Sequence, residues 1–389
     1  MKMMKSLPAS GILLFLLLLS SRSIIVSSLG SVLVRVYKYS TNAASWENAR
    51  HICKHYHTDL ATFYSEADER YLYLERYFAW IGLYRDRNHW SDILLSDGEK
   101  HDLYSWENKN SPYKAECAAA SYNNLFDSSG STIPRRRVYG LNCGNHYYFI
   151  CQDIKESQTL DKDIQYIFIP KAKTWSEAQH YCRENHGELA NIHNSVLYSA
   201  VQKEDFPIWI GLHRDGGSWN WSAGSSEYHN WKLNEPSTNG DCVSISSKTH
   251  KMAAQNCGAY FPFLCISDNM VLVKEEKSWE EALDHCRRLK SSAQSNLRFD
   301  LLSLQPGEEH VYVMSKVTEA VTEEVWIGLR FLAGDWLWVN GADMLHPDLP
   351  FCPAPQQNCG ALSKNYAGKV KTRDCSLRKN FICYSYTST

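Results

Sequence analysis

Trp46-Glu47-Asn48-Ala49-Arg50-His51-Ile52-Cys53 opens a pattern that the chain states twice more. It returns as Trp175-Ser176-Glu177-Ala178-Gln179-His180-Tyr181-Cys182 and as Trp279-Glu280-Glu281-Ala282-Leu283-Asp284-His285-Cys286. Each copy reads Trp-x-x-Ala-x-x-x-Cys. Offsets of zero, three and seven share one face of a helix, so Trp, Ala and Cys are expected to point together into a core. Thr174 with Glu177 and Ser278 with Glu281 spell capping boxes, whereas Ser45 with Asn48 is a weaker start. Downstream, Trp-Ile-Gly-Leu recurs at Trp80–Leu83, Trp209–Leu212 and Trp326–Leu329. A short apolar string containing glycine suits a buried strand that another backbone approaches closely. Trp219-Asn220-Trp221 and Trp336-Leu337-Trp338 alternate with the period of a strand.

Three copies in 389 residues make three domains of ordinary size. Each reads strand, helix, helix, then several strands, an α+β plan with long irregular segments. The boundaries fall at 33–152, 164–266 and 270–384, behind a signal segment at 1–28. The joins, Gln152 to Asp163 and Ile266 to Asn269, are short, so neighbouring domains should touch. The composition is 44% hydrophobic and 22% charged, that of a globular protein. A net charge of −2 gives no reason to expect nucleic-acid binding.

Met1-Lys2-Met3-Met4-Lys5, the apolar run Ile12 to Leu19 and the small residues that follow have the layout of a secretory signal. The run is shorter than the roughly 20 residues a membrane span needs. Apolar residues resume from Ile24 to Val34, which keeps an uncleaved anchor as the rival reading. No spanning run occurs further along, so the expectation is a secreted, extracellular protein in a compartment where disulfides persist.

Thirteen cysteines sort by repeat into Cys53, Cys117, Cys143, Cys151; Cys182, Cys242, Cys257, Cys265; and Cys286, Cys352, Cys359, Cys375, Cys383. Four cysteines allow three connectivities in each repeat. Glu116-Cys117, Asp241-Cys242 and Asn358-Cys359 share a position, which leaves Cys352 without a counterpart. Cys352 is then a free thiol, an alternative local partner, or a bridge linking two copies of the chain.

The chain resembles the C-type lectin-like domain family, three times over. The resemblance rests on the Trp-x-x-Ala-x-x-x-Cys helix, the Trp-Ile-Gly-Leu strand, the Trp-x-Trp strand and the four ordered cysteines. The tandem arrangement is similar to that of the mannose-receptor group. The resemblance implies an outer and an inner bridge per domain: Cys53–Cys151 and Cys117–Cys143, Cys182–Cys265 and Cys242–Cys257, Cys286–Cys383 and Cys359–Cys375. It also implies a long-loop site where sugar-binding members hold calcium with Glu-Pro-Asn or Gln-Pro-Asp, a further Glu, and Asn-Asp near the third cysteine.

Calcium takes six to eight oxygen ligands. The second repeat comes nearest, with Asn234-Glu235-Pro236-Ser237-Thr238-Asn239-Gly240-Asp241-Cys242. Ser237 replaces the Asn, Gly240 stands where the further Glu would be, and Ala253-Ala254 occupy the Asn-Asp positions. Glu235, Ser237 and Asp241 are the candidate ligand-binding residues. The first repeat has Val138-Tyr139-Gly140 and the third Val370-Lys371-Thr372 where carboxylates would be needed. The expectation is no cofactor and a degenerate calcium site in all three domains.

Other candidates are weaker. His51, His55 and His57 around Cys53 look like a metal cluster, but the cysteine belongs to the disulfide set. Arg135-Arg136-Arg137 is read as loop, where it could meet an anionic partner. Asn220-Trp221-Ser222 is the single N-glycosylation sequon, placed in a strand. No Gly-x-Ser-x-Gly or His-Glu-x-x-His occurs, so the chain is not read as an enzyme. The reading is a secreted recognition protein for extracellular glycans or glycoproteins, with a purely protein-binding module as the alternative.

Overall fold

A computed structural model describes residues 24–26, 35–70, 72, 74, 76–86, 89–92, 116–126, 132–155, 163–191, 200–223, 226–290, 296–304, 309–346, 348–365 and 369–387. The three motif helices span Trp46–Tyr56, Trp175–Asn185 and Trp279–Arg288. Their starts follow the sequence. Thr174 and Ser278 form full capping boxes with Glu177 and Glu281, while Ser45 only accepts from the Asn48 amide. The expected face is buried: Ala49, Cys53, Ala178, Cys182, Ala282 and Cys286 are wholly inaccessible. Each Trp-Ile-Gly-Leu string is the middle of a central strand: Tyr77–Asp86, Pro207–Asp215 and Glu324–Leu332.

Three sheets are built around these strands, named here by their tryptophans. In the Trp326 sheet all pieces come from the third repeat. Its opening strand Met270–Lys277 pairs with its own closing strand Lys379–Thr387, which runs parallel to the central strand. Cys359–Ser363 and Val370–Arg373 extend the other side.

The other two sheets exchange their openings. The opening strand Arg35–Ala44 of the first repeat pairs antiparallel with Phe261–Asp268, the closing strand of the second. The opening strand Asp163–Lys173 of the second repeat pairs with Tyr147–Lys155, the closing strand of the first. The motif helices go with them. Strand pairing therefore crosses the boundary between 33–152 and 164–266.

The bridges follow. Cys53 joins Cys265 and Cys151 joins Cys182, in place of the Cys53–Cys151 and Cys182–Cys265 pairs that the resemblance implies. The correction has a physical cause: each helix lies on the other repeat's sheet, and its cysteine meets that sheet's closing strand. The remaining bridges, Cys117–Cys143, Cys242–Cys257, Cys286–Cys383 and Cys359–Cys375, stay within one repeat.

Tryptophan contacts show that the exchange preserves one interface. The Trp279 indole donates to the Ile327 carbonyl of its own central strand at 2.9 Å. Trp46 donates to Ile210 and Trp175 to Ile81, the same position in the other repeat, at 2.8 and 2.9 Å. The Gly211 amide meets the Ala61 carbonyl at 2.9 Å, and a Cβ on Gly211 would lie 3.1 Å from that oxygen. The close backbone approach expected of this glycine therefore comes from the first repeat.

The Trp80 and Trp209 sheets share a core. Tyr77, Tyr148, Phe206, Ile208 and Leu264 belong to one buried cluster. Tyr77 and Tyr148 donate across it to the carbonyls of Gln202 and Pro207. The third unit docks against a buried ion pair of the first repeat. Arg35 Nη1 lies 2.8 Å from Asp68 Oδ1, and the guanidinium sits 4.9 Å from the Tyr312 ring of the third repeat. Lys316 faces Asp268 beside it at 4.0 Å.

Among the described residues no helix is long and apolar enough to cross a membrane. The signal expectation at 1–28 lies mostly outside the described residues. Its Ile24–Val26 backbone pairs with Arg35–Tyr37. Arg135 to Arg137 are not loop: they lie in the strand Thr132–Leu141, opposite Asn123 to Ser121. The Asp127 to Gly130 stretch before them is outside the described residues.

Candidate functional site

The second repeat's long loop runs from the strand Ser218–Trp221 to the bridge Cys242–Cys257. It is anchored at its base. Trp231 packs edge-on against Trp219 with ring centroids 5.2 Å apart, and the Asn230 carbonyl and Lys232 amide both bond Met252. Asn234 adopts a left-handed φ of 66°, and the Glu235–Pro236 peptide is cis.

Glu235 turns its carboxylate onto the strand Met252–Gln255. Oε2 accepts from the Ser237 amide at 2.6 Å and from the Ala254 amide at 3.0 Å. Partial burial pushes its pKa up. The Ala254 and Ser237 amides outweigh that, and the net displacement is downward. Asp241 faces elsewhere. Its Oδ1 accepts from Arg214 Nε at 2.7 Å and Nη2 at 2.6 Å, and the guanidinium lies 5.2 Å from the Trp219 ring. Glu235 and Ser237 are thus brought together, while Asp241 belongs to a separate pair.

Gly240 decides what else can stand there. A Cβ on it would fall 1.9 Å from the Gln255 carbonyl oxygen. The backbone is flush against the neighbouring strand, so a glutamate side chain has no room. A cation in this loop would be offered one carboxylate already bonded to two amides.

The three copies of the sequence motif, the sheet order and the bridged long loop agree with one comparison. The family described as Lectin C-type domain matches residues 42–153, 171–267 and 275–385. The chain belongs to the C-type lectin domain family. C-type mannose receptor 2 of Rattus norvegicus is 21% identical, over 88% of this chain and 28% of its own length. The secretory phospholipase A2 receptor of Oryctolagus cuniculus is 24% identical, over 90% of this chain and 28% of its own. The chain thus spans under a third of these curated relatives. Among solved structures, the C-type lectin CEL-I from Cucumaria echinata is 19% identical, with a TM-score of 0.27. It covers 31% of this chain and 90% of that one.

The other sequence candidates of this C-type lectin chain are dispersed. Cys53 is bridged, His55 packs edge-on against Tyr56, and His57 Nδ1 lies 2.9 Å from Ser267 Oγ. Among the described residues no group of three His, Cys, Asp or Glu could hold a metal ion. Asn220 is exposed on its strand, and Ser222 of the sequon donates to Asp59 at 3.2 Å. Cys352 is an exposed free thiol beside Phe351, which is 90% exposed. Sequence reading missed Arg214. The signal was available: Arg85 and Arg214 both stand five residues after the Trp of their central strands.

Proposed function

We propose that this is a secreted recognition protein that binds extracellular glycans or glycoproteins through loops on bridged scaffolds, without the family's calcium mechanism. The observation that carries the calcium part is Glu235, the one matching carboxylate, engaged by the Ser237 and Ala254 amides. Family membership supports the recognition role, and loops on a rigid scaffold are a common place for binding. The N-terminal apolar run supports export by a signal segment.

A glycan array probed with the full chain, with and without EDTA, tests this. The expected result is a binding pattern that EDTA leaves unchanged. Strong mannose or galactose binding abolished by EDTA would contradict it.

A second reading, protein binding with no carbohydrate activity, draws on the exposed apolar side chains of two long loops. Leu233 is 87% exposed and Leu345 59%. A silent array favours it. Exposure of Cys352 supports a disulfide-linked pair of chains. A non-reducing gel should show a dimer band for the native chain that Cys352→Ser removes; a monomer band in both removes the proposal.

A further inference from the structure

A recess of about 590 Å³ opens in the third unit, on the opposite strand of the sheet from its long-loop strands. Its size is that of a small-molecule site. One wall is a ladder between Leu297–Leu301 and the closing strand. There Arg298 stands opposite Tyr386, and Asp300 opposite Tyr384. Facing residues on neighbouring strands project to the same side, and so do alternate residues along each strand. Arg298, Asp300, Tyr384 and Tyr386 therefore share one face.

Arg287, from the motif helix, closes the floor by bonding both oxygens of Asp300 at 3.2 and 3.1 Å. That pair neutralises the buried carboxylate. Arg298 is exposed, and among the described residues no carboxylate pairs with it. The Tyr386 ring is 40% exposed and tilted 31° against Tyr384, 5.6 Å away, with Asn340 on the rim.

The other two units lack this set. Their equivalent ladders, Asp59–Leu60 and Glu188–Leu189, are two residues long against five here. The acids Asp59 and Glu188 stand opposite Ile266 and Gln152 rather than a tyrosine. Extending the ladder is what presents an arginine and an aromatic ring together.

We propose that this recess binds the acidic residue of a glycan, a pyranose carrying a carboxylate or a sulfate ester. Arg298 meets the anion with a charge-assisted bond. The Tyr386 ring offers an apolar face to the sugar C–H groups, while Asn340 Oδ1 on the rim already accepts from the Ala342 amide at 3.1 Å. The proposal rests on the recognition reading above only in taking the ligand to be a glycan.

Calorimetric titration of the full chain with sialyllactose, sulfated lactose and plain lactose at low salt tests it. Binding of at least one anionic sugar, with lactose at least about tenfold weaker, is expected. Which anionic sugar binds separates the carboxylate from the sulfate source. Arg298→Glu should lose at least about tenfold in affinity with an unchanged melting temperature, and Tyr386→Ala should also weaken binding. EDTA should have no effect. Equal binding by Arg298→Glu would overturn the site. Neutral glycans bound with no acidic preference would overturn the ligand class and leave glycan recognition standing. No binding to any glycan would overturn both. Arg298-dependent binding of an acidic peptide alone would overturn the glycan assignment.

Discussion

Glu235 holds its own loop in place. Its carboxylate clamps the long loop to the strand Met252–Gln255 through the Ser237 and Ala254 amides. The folded state holds it ionised more strongly than the unfolded chain does. Its contribution is then complete above the unfolded pKa, about 4.3, and is lost as pH falls through the lower folded value. The clamp is partly solvated, so its worth is about 1 kcal/mol. Urea midpoints of the native chain and Glu235→Gln should differ near pH 6 and converge as the pH falls below the ordinary carboxylate range. A difference independent of pH would show that the charge plays no part. The Glu-Pro pair was legible in the sequence, and so were the alanines at 253 and 254. The fit of Gly240 against Gln255 was not, because contact between two backbones leaves no trace in either residue's identity beyond glycine itself.

At the scale of elements, the helices, their caps and their buried faces were readable, because period and capping are local properties. The partner of each helix was not. The three motif helices carry the same Trp, Ala and Cys, the three central strands offer the same carbonyl, and the three closing strands offer the same cysteine. Either pairing of the first two repeats satisfies that interface. Chain connection distinguishes them. Residues 156–162 between the strands Tyr147–Lys155 and Asp163–Lys173 give the chain room to turn back into an antiparallel pair. Asn269 alone separates Phe261–Asp268 from Met270–Lys277, and one residue cannot make a hairpin. The third repeat therefore closes on itself, and Arg35–Ala44 takes the vacant edge beside Phe261–Asp268. The capping box at Thr174 starts a helix whose sheet belongs to the other repeat. Thr174→Ala should cost about 1 kcal/mol, read as a lower thermal midpoint of the whole two-repeat body rather than of one repeat. Two separate transitions, with only one shifted, would argue against a shared body.

For the whole molecule, the exchange makes the first two repeats one cooperative body and the third a docked unit. The shared core through Tyr77 and Tyr148 and the buried Arg35–Asp68 pair tie them together. If each unit binds as proposed, the three sites are held in fixed relation, which suits a ligand that is itself extended or multivalent. Cysteine bookkeeping from the sequence singled out Cys352, but the Cys53–Cys265 and Cys151–Cys182 bridges cross its sets of four, because spacing cannot tell an exchanged bridge from a closed one. Non-reducing peptide mapping by mass spectrometry can. The exchanged fold predicts linked peptides containing Cys53 with Cys265 and Cys151 with Cys182. Recovery of Cys53 with Cys151 and Cys182 with Cys265 would contradict it.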